Sequence, residues 1–267
     1  MNQMPDQPVN SALPRQGGDI FPIQIPDRLP VHVDPCPIVE AIFELRFVSL
    51  EPWATMAGLL FAQIRDKYPE QKSLPASQLP EEFRRQNPAW LHLPLIQFLS
   101  DEFVVQLGPR VVGLGTKQNA YPGWSAIEHE LKWLVERLRD AGFVGETERL
   151  GARYIDFFDG DVFNSLRLGI QVDSRPLLGA QTDVTTVLRL GYLAIQLRVT
   201  NGAIVATNEG QKFGSVLDVD AWFGPLDVDF FGNGLMRLGE AHQVIKGLFF
   251  GLLSPELLDS MHPVYES

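Results

Sequence analysis

The sequence predicts an α+β protein: a curved, largely antiparallel sheet with two long amphipathic helices packed on one of its faces. Three observations predict it. Segments of alternating apolar and polar residues follow one another without helices between them, the pattern of an antiparallel meander and not of a doubly wound α/β fold. Two long stretches, one in mid-chain and one near the C-terminus, carry apolar residues at three-and-four spacing. The order strand, connection, antiparallel strands, long helix occurs twice. That repetition raises an internal duplication, although no sequence identity between the halves is visible.

The 267 residues hold 22 basic and 33 acidic side chains for a net charge of -11, and 45% are hydrophobic, enough for a sizeable core. No apolar run reaches the ~18 residues of a membrane helix. The Pro-rich start lacks the basic-then-apolar order of a secretion signal, so a soluble, cytoplasmic protein is expected. A single cysteine, Cys36, excludes a disulfide scaffold and a multi-thiolate metal site. The acid excess argues against nucleic acid as a partner.

Residues 1–34 contain six prolines, with Gly17-Gly18 and no periodic apolar pattern, and read as a flexible arm. Within it, Asp19 to Leu29 carries Ile20, Phe21, Ile23 and Ile25 and could dock as an extended strand on the body or on a partner. A single α+β domain is expected over residues 35–267. It starts with the cleanest strand, Pro37 to Phe47, where Val39, Ala41, Phe43, Leu45 and Phe47 are apolar and Glu40, Glu44 and Arg46 charged. Trp53, Met56, Leu60, Ile64 and Tyr68 make a helix ended by Pro69. A short helix at Glu81 to Arg85 follows, then a meander over 95–99, 103–107 and 111–114. Ser125 with Glu128 forms a capping box for a helix that Gly142 ends, and Arg149 to Phe158 reads as a long strand.

In the second half, Leu166 to Val172 alternates and reads as a strand. Leu193 to Val199 alternates likewise, and Asn201-Gly202 predicts a hairpin turn back through Ala203 to Thr207. Gly191 marks a bulge or turn before that run, and Ser215 to Phe223 is a further strand. Leu235 to Leu252 makes the closing helix, and Ser254-Pro255-Glu256 starts a short one.

PIVEAIFELRF near the start, ARYID in the middle, VLDVDAWF late and the terminal GEAHQVIKGLFFGLLSPEL together resemble a sporadically distributed, functionally uncharacterised prokaryotic family of similar length. The resemblance covers the chain from about Pro35 and leaves the arm outside. Its most specific part is Pro37, Val39-Glu40 and Leu45-Arg46-Phe47. Arg153-Tyr154, Asp218, Asp220 and His242 also match. It implies a single domain and no mechanism.

The candidate polar binding face joins Glu40, Glu44 and Arg46 of the first strand to Arg153 and Asp156. If the two strands are neighbours, Glu44 and Asp156 can pair with Arg46 and Arg153 across the sheet. Asp218 and Asp220, two apart on a strand, point the same way and could seat a cation or act as an acid/base pair, although a metal site needs more ligands than one pair. His242 sits at the edge of a helix stripe, where a hydrogen-bonded packing role outweighs a catalytic one. Asp156, Asp159 and Asp161 lack the pattern of a calcium loop, and Phe231-Gly232-Asn233-Gly234 lacks the context of a phosphate loop and reads as a turn into the last helix. Cys36 and His32 lie four apart in a Pro-flanked segment that holds no nucleophile geometry. No catalytic residue, metal or cofactor is assigned. The expected function is a non-catalytic interaction or adaptor protein whose sheet face or arm binds another protein or a second copy of the chain. The alternative is an enzyme or small-molecule binder using Glu44, Arg46, Arg153 and Asp156 in a charged pocket over the sheet.

Overall fold

Alternation as regular as that of Ile38–Ser49 buries one side of a strand and leaves the other polar, which suits a sheet covered on one face only. In the computed structural model, which describes residues 23–87, 90–173, 175–176, 182–207 and 210–266, this strand (β1, Ile38–Ser49) lies at the centre of a nine-stranded sheet. The other strands are β2 (Glu70–Ser73), β3 (Ile96–Leu99), β4 (Phe103–Gly108), β5 (Val111–Thr116), β6 (Val144–Asp159), β9 (Thr182–Leu190), β10 (Leu193–Thr207) and β11 (Gly210–Phe223). Gln171–Val172 (β7) and Arg175–Pro176 (β8) form a separate small hairpin.

The order across the sheet is β2-β3-β4-β5-β1-β6-β11-β10-β9, and every neighbouring pair is antiparallel. Counted outward from the β1–β6 junction, β5, β4 and β3 on one side correspond to β11, β10 and β9 on the other. In each half the last strand of a meander returns to pair with the first strand, and a long helix follows. This is the arrangement a duplication produces.

The long helices are α3 (Trp124–Ala141) and α4 (Phe230–Leu252), accompanied by α1 (Trp53–Ile64), α2 (Glu81–Gln86) and α5 (Pro255–Asp259). Phe43, Leu45 and Phe47 of β1, Leu150 and Ala152 of β6, and Val219 and Ala221 of β11 form one core with Ile127, Leu131 and Leu138 of α3 and Leu238, Ala241 and Ile245 of α4. Both long helices therefore cover the same face, as expected, and neither of them lies on the other, bare face. Gly142, at φ 71°, ends α3 in the left-handed conformation that glycine adopts without steric cost. Tyr68, Met56, Leu60 and Ile64 are fully buried, as their helical spacing predicts.

Several local expectations are corrected. Of Leu166 to Val172, only Gln171–Val172 (β7) is strand. Phe163–Ser165 is a 3₁₀ turn, and Leu166 makes only an isolated bridge to Leu253 because Arg167 N and Ser165 O are bonded to the end of α4. Asn201-Gly202 is a bulge inside β10 and not a hairpin turn. The pairing with β11 slips between Thr200 and Ala203, and the Asn201 side chain accepts from Gly202 N at 2.9 Å. The turn falls at Gly191-Tyr192 instead, with Leu190 opposite Leu193 and Gly191 at φ 56°. The first turn of α3 starts at Trp124 with Gly123 at its N-cap, so Ser125 lies inside the helix and forms no capping box. Phe231-Gly232-Asn233-Gly234 likewise lies within the first turns of α4.

Of the Pro-rich arm, residues 1–22 lie outside the described residues. Residues 23–34 run along the body: Val31 N donates to Val264 O at 2.8 Å and Asp34 N to Met261 O at 2.7 Å. A Cβ on Gly251 would come within 2.7 Å of Ile23 Cγ2, and one on Gly247 within 3.1 Å of Ile25 Cγ2. Two glycines of α4 thus make notches for two isoleucines of the arm.

Candidate functional site

On the bare face, the two-residue period of β1 aligns Glu40, Ile42, Glu44 and Arg46. β6 contributes Arg149 and Arg153, and β11 contributes Asp218 and Asp220. Glu44 lies opposite Gly113 of β5 and Gly151 of β6, so no neighbouring side chain crowds it. Into that space leans Arg149, two residues from Gly151. Its Nη1 donates to Glu44 Oε1 at 2.9 Å, and its Nη2 to both oxygens of Asp220 at 2.7 and 2.6 Å. Arg46 Nε donates to the same Glu44 oxygen at 2.7 Å. Arg153 grips Asp218 through two bonds of 2.8 and 2.6 Å, and the Arg198–Asp183 pair extends the ladder to β10 and β9. The Arg149 guanidinium also lies 4.9 Å from the centre of the Trp222 ring.

Burial sets the electrostatics of this face. The Asp218 and Arg149 side chains are only 9% and 14% exposed. Desolvation pushes the Asp220 carboxyl up, and the Arg149 charge pulls it back only in part. Desolvation raises Glu40 as well, with Arg153 opposing. Glu44, Asp218 and Asp220 each accept hydrogen bonds from a guanidinium, so they are engaged as partners and not poised as bases.

The structure brings Glu40, Glu44, Arg46, Arg153, Asp218 and Asp220 onto one face and separates Asp156 from them. Residues 153 and 156 differ by an odd number, so the strand turns their side chains to opposite sides. Asp156 is 2% exposed on the helix-covered side, where burial holds its carboxyl well above the usual range and the Asp218 charge adds to the effect. Expected pairing is corrected accordingly: Glu44 bonds Arg46 and Arg149, and Arg153 bonds Asp218. Arg149 was not expected at the site. Its signal was available, since Arg149 and Arg153 share a parity, but the register that brings it to Glu44 and Asp220 is non-local.

His242 belongs to the helix-covered side. Its ring stacks on Trp124 at 4.1 Å between centroids, and its Nδ1 is 2.8 Å from the Tyr154 hydroxyl. Desolvation, with the Lys246 charge in support, pushes its imidazole down to about 3, so it is neutral at physiological pH. Burial pushes the neighbouring Tyr121 up to about 12. Cys36, free and exposed, is raised by desolvation, with the charges of Asp156 and Asp34 adding to it and the Ile38 N–H opposing. Among the described residues, no group of three or more His, Cys, Asp or Glu could hold a metal ion. A cavity between the sheet and the long helices, lined by Leu131, Leu134, Leu150 and Leu238, has a volume of about 20 Å³, room for a single water. Among the described residues, no helix is long and apolar enough to cross a membrane.

No family model matches this chain, and no curated protein matches it.

Proposed function

We propose that the protein is a non-catalytic interaction module that docks a partner protein on the bare face of its sheet. The observation that carries this reading is the composition of that face. Half-buried Ile42, Ile155, Phe157, Val216 and Trp222 interleave with the ladder of Arg46, Arg149 and Arg153. Aromatic residues and arginine set among apolar side chains are what protein interfaces concentrate at their centres. Arg149 and Arg153 are already bonded to carboxylates, so they are not free to bind phosphates, which favours a protein over a nucleic acid. A cytoplasmic setting belongs to this proposal and agrees with the single free cysteine. Glu40, Arg46, Arg153, Asp218 and Asp220, which are among the residues that carry the resemblance to the sporadically distributed family, lie on this face. The competing reading, a pocket built from Glu44, Arg46, Arg153 and Asp156, loses its geometry because Asp156 faces the other way.

The test places a photo-crosslinking residue at Ile155 on the bare face, or at exposed Glu128 on α3, in cells of the native source. An adduct with a second protein from position 155 and none from 128 is expected, and Trp222→Ala in the same chain should reduce it while melting is checked. Adducts equally abundant from both positions, or none from position 155, would overturn the proposal.

A further inference from the structure

The sheet has two edges of unlike character. At one edge, β2 is a four-residue strand, Glu-Gln-Lys-Ser, exposed throughout and carrying the Lys72–Glu70 ion pair. Short, charged edges of this kind resist pairing with another chain. At the other edge, β9 is nine residues long and contains no glycine, proline or lysine. Its inner side is paired with β10 from Leu190–Leu193 to Thr182–Asn201, and no strand among the described residues pairs its outer side. An edge of that length presents a row of backbone donors and acceptors that an extended chain can complete.

The side chains of β9 say which chain. We infer that the protein forms a two-fold dimer in which β9 pairs antiparallel with β9 of a second copy, centred on Thr186. In that register, Asp183 stands opposite the partner's Arg189, and Arg189 opposite the partner's Asp183. Val184 stands opposite the partner's Leu188, and Thr185 opposite the partner's Val187. Directly opposite residues in an antiparallel pair share a face. Asp183, Thr185, Val187 and Arg189 therefore meet on the bare face, and Val184 and Leu188 on the helix-covered face. Arg189 is exposed and makes no ion pair with any described residue, while Asp183 is held from its own side by Arg198. The partner's Arg189 would complete the other flank of Asp183 and extend the ladder of the bare face across the dimer axis. Val187, 55% exposed, would gain cover. A slip by one residue would set Asp183 against the partner's Leu188 or Leu190 and leave both charges unpaired, so the register is specified. The contact is isologous and closes after two copies. It also involves one acid and one base per strand, so the net charge of -11 on the chain does not concentrate repulsion there.

This inference uses an edge and not the face proposed above, so it does not rest on that reading. The test measures the mass of the full chain in solution by sedimentation velocity over micromolar concentrations. A dimer is expected for the wild type. Asp183→Arg and Arg189→Asp should each weaken it by about tenfold, because each places like charges opposite one another twice. Mixing the two variants should restore dimers, since each then offers the charge the other lacks. Arg189→Asp is the cleaner of the two, because Arg189 holds no intramolecular ion pair among the described residues and melting should stay at the wild-type value. A strictly monomeric wild type, or a dimer indifferent to both variants, or singles that fail to recombine while melting like the wild type, would overturn the inference.

Discussion

In the first half of the chain, α3 is covered by α1, and the turn that follows α1 is tied to α3 by a carboxylate: Tyr68 Oη donates to Glu130 Oε1 at 2.7 Å, and Lys67 bonds the other oxygen. In the second half, the quasi-equivalent helix α4 has no helix of the α1 kind over it among the described residues. Between β6 and β9 the described chain offers only a 3₁₀ turn and the β7–β8 hairpin, and α4 is covered by Ile23 and Ile25 of the arm. Its polar link is to the sheet, through the neutral pair of Tyr154 and His242. The inward row of β1 is wholly apolar from Ala41 to Phe47, whereas that of β6 carries Tyr154 and Asp156. Two halves with one topology have thus met the same requirement, a covered long helix, by different means. One uses a charge neutralised by a half-exposed lysine, and the other an uncharged hydrogen bond and a borrowed strap.

Substitutions can break this contrast, and the largest effect belongs to the first half. Glu130→Leu removes the acceptor of a fully buried tyrosine and the partner of Lys67, and should cost about 3 kcal/mol in urea unfolding. Glu130→Gln, which keeps an acceptor for Tyr68, should cost less than half of that. The second half should answer to acid instead. His242 titrates at about 3 when folded and at ~6.5 when unfolded, so its contribution is present above pH 6.5 and lost as pH falls toward 3. Melting followed from pH 7 to pH 4 should show a loss on the order of 2 kcal/mol, and His242→Gln should flatten that slope while the Glu130 variants keep it.

The strap gives a smaller effect. Gly251→Val places methyl groups where Ile23 and the Gln24 carbonyl lie, and should cost about 1 kcal/mol by lifting the arm. Hydrogen exchange should rise over residues 23–34 and stay unchanged in α1. The smallest effect should be a gain. The Asp156 carboxyl is raised in the folded state, so the fold favours its protonated form below the unfolded value of ~3.9 and loses that advantage as pH rises through the folded one. Asp156→Asn should therefore raise the melting temperature at pH 8 and leave it unchanged at pH 3.5. A fall at pH 8 would show that the carboxylate is held by bonds that outweigh its desolvation.

Much of the fold was legible because its signals are local. The alternation of Val39 to Phe47 made β1 visible, Met56-Leu60-Ile64-Tyr68 made the first helix visible, and Gly142 marked the end of α3. Where local signals failed, a distant partner had intervened. Leu166 to Val172 alternates like a strand, yet the end of α4 captures its backbone groups first. Asn201-Gly202 has the residues of a hairpin turn, but β11 continues alongside and turns the pair into a bulge. At the candidate site the charged residues of β1, β6 and β11 could be named from their types, while Arg149 as the bridge between Glu44 and Asp220 depends on the register of three strands.

Which residues face a core and which face away is written locally, because a period of two or of 3.6 is set by backbone geometry one residue at a time. That pattern thereby determined the α+β class, the antiparallel meanders and the two covering helices. It even contained the separation of Arg153 from Asp156 as a matter of parity. The tertiary contacts, in contrast, set β1 and β6 together at the centre, leave β9 at the end of the sheet among the described residues, and seat two arm isoleucines in the notches of α4. Each of these is a contact between segments far apart in the chain, chosen by register and by competition for burial, which no stretch of sequence specifies alone.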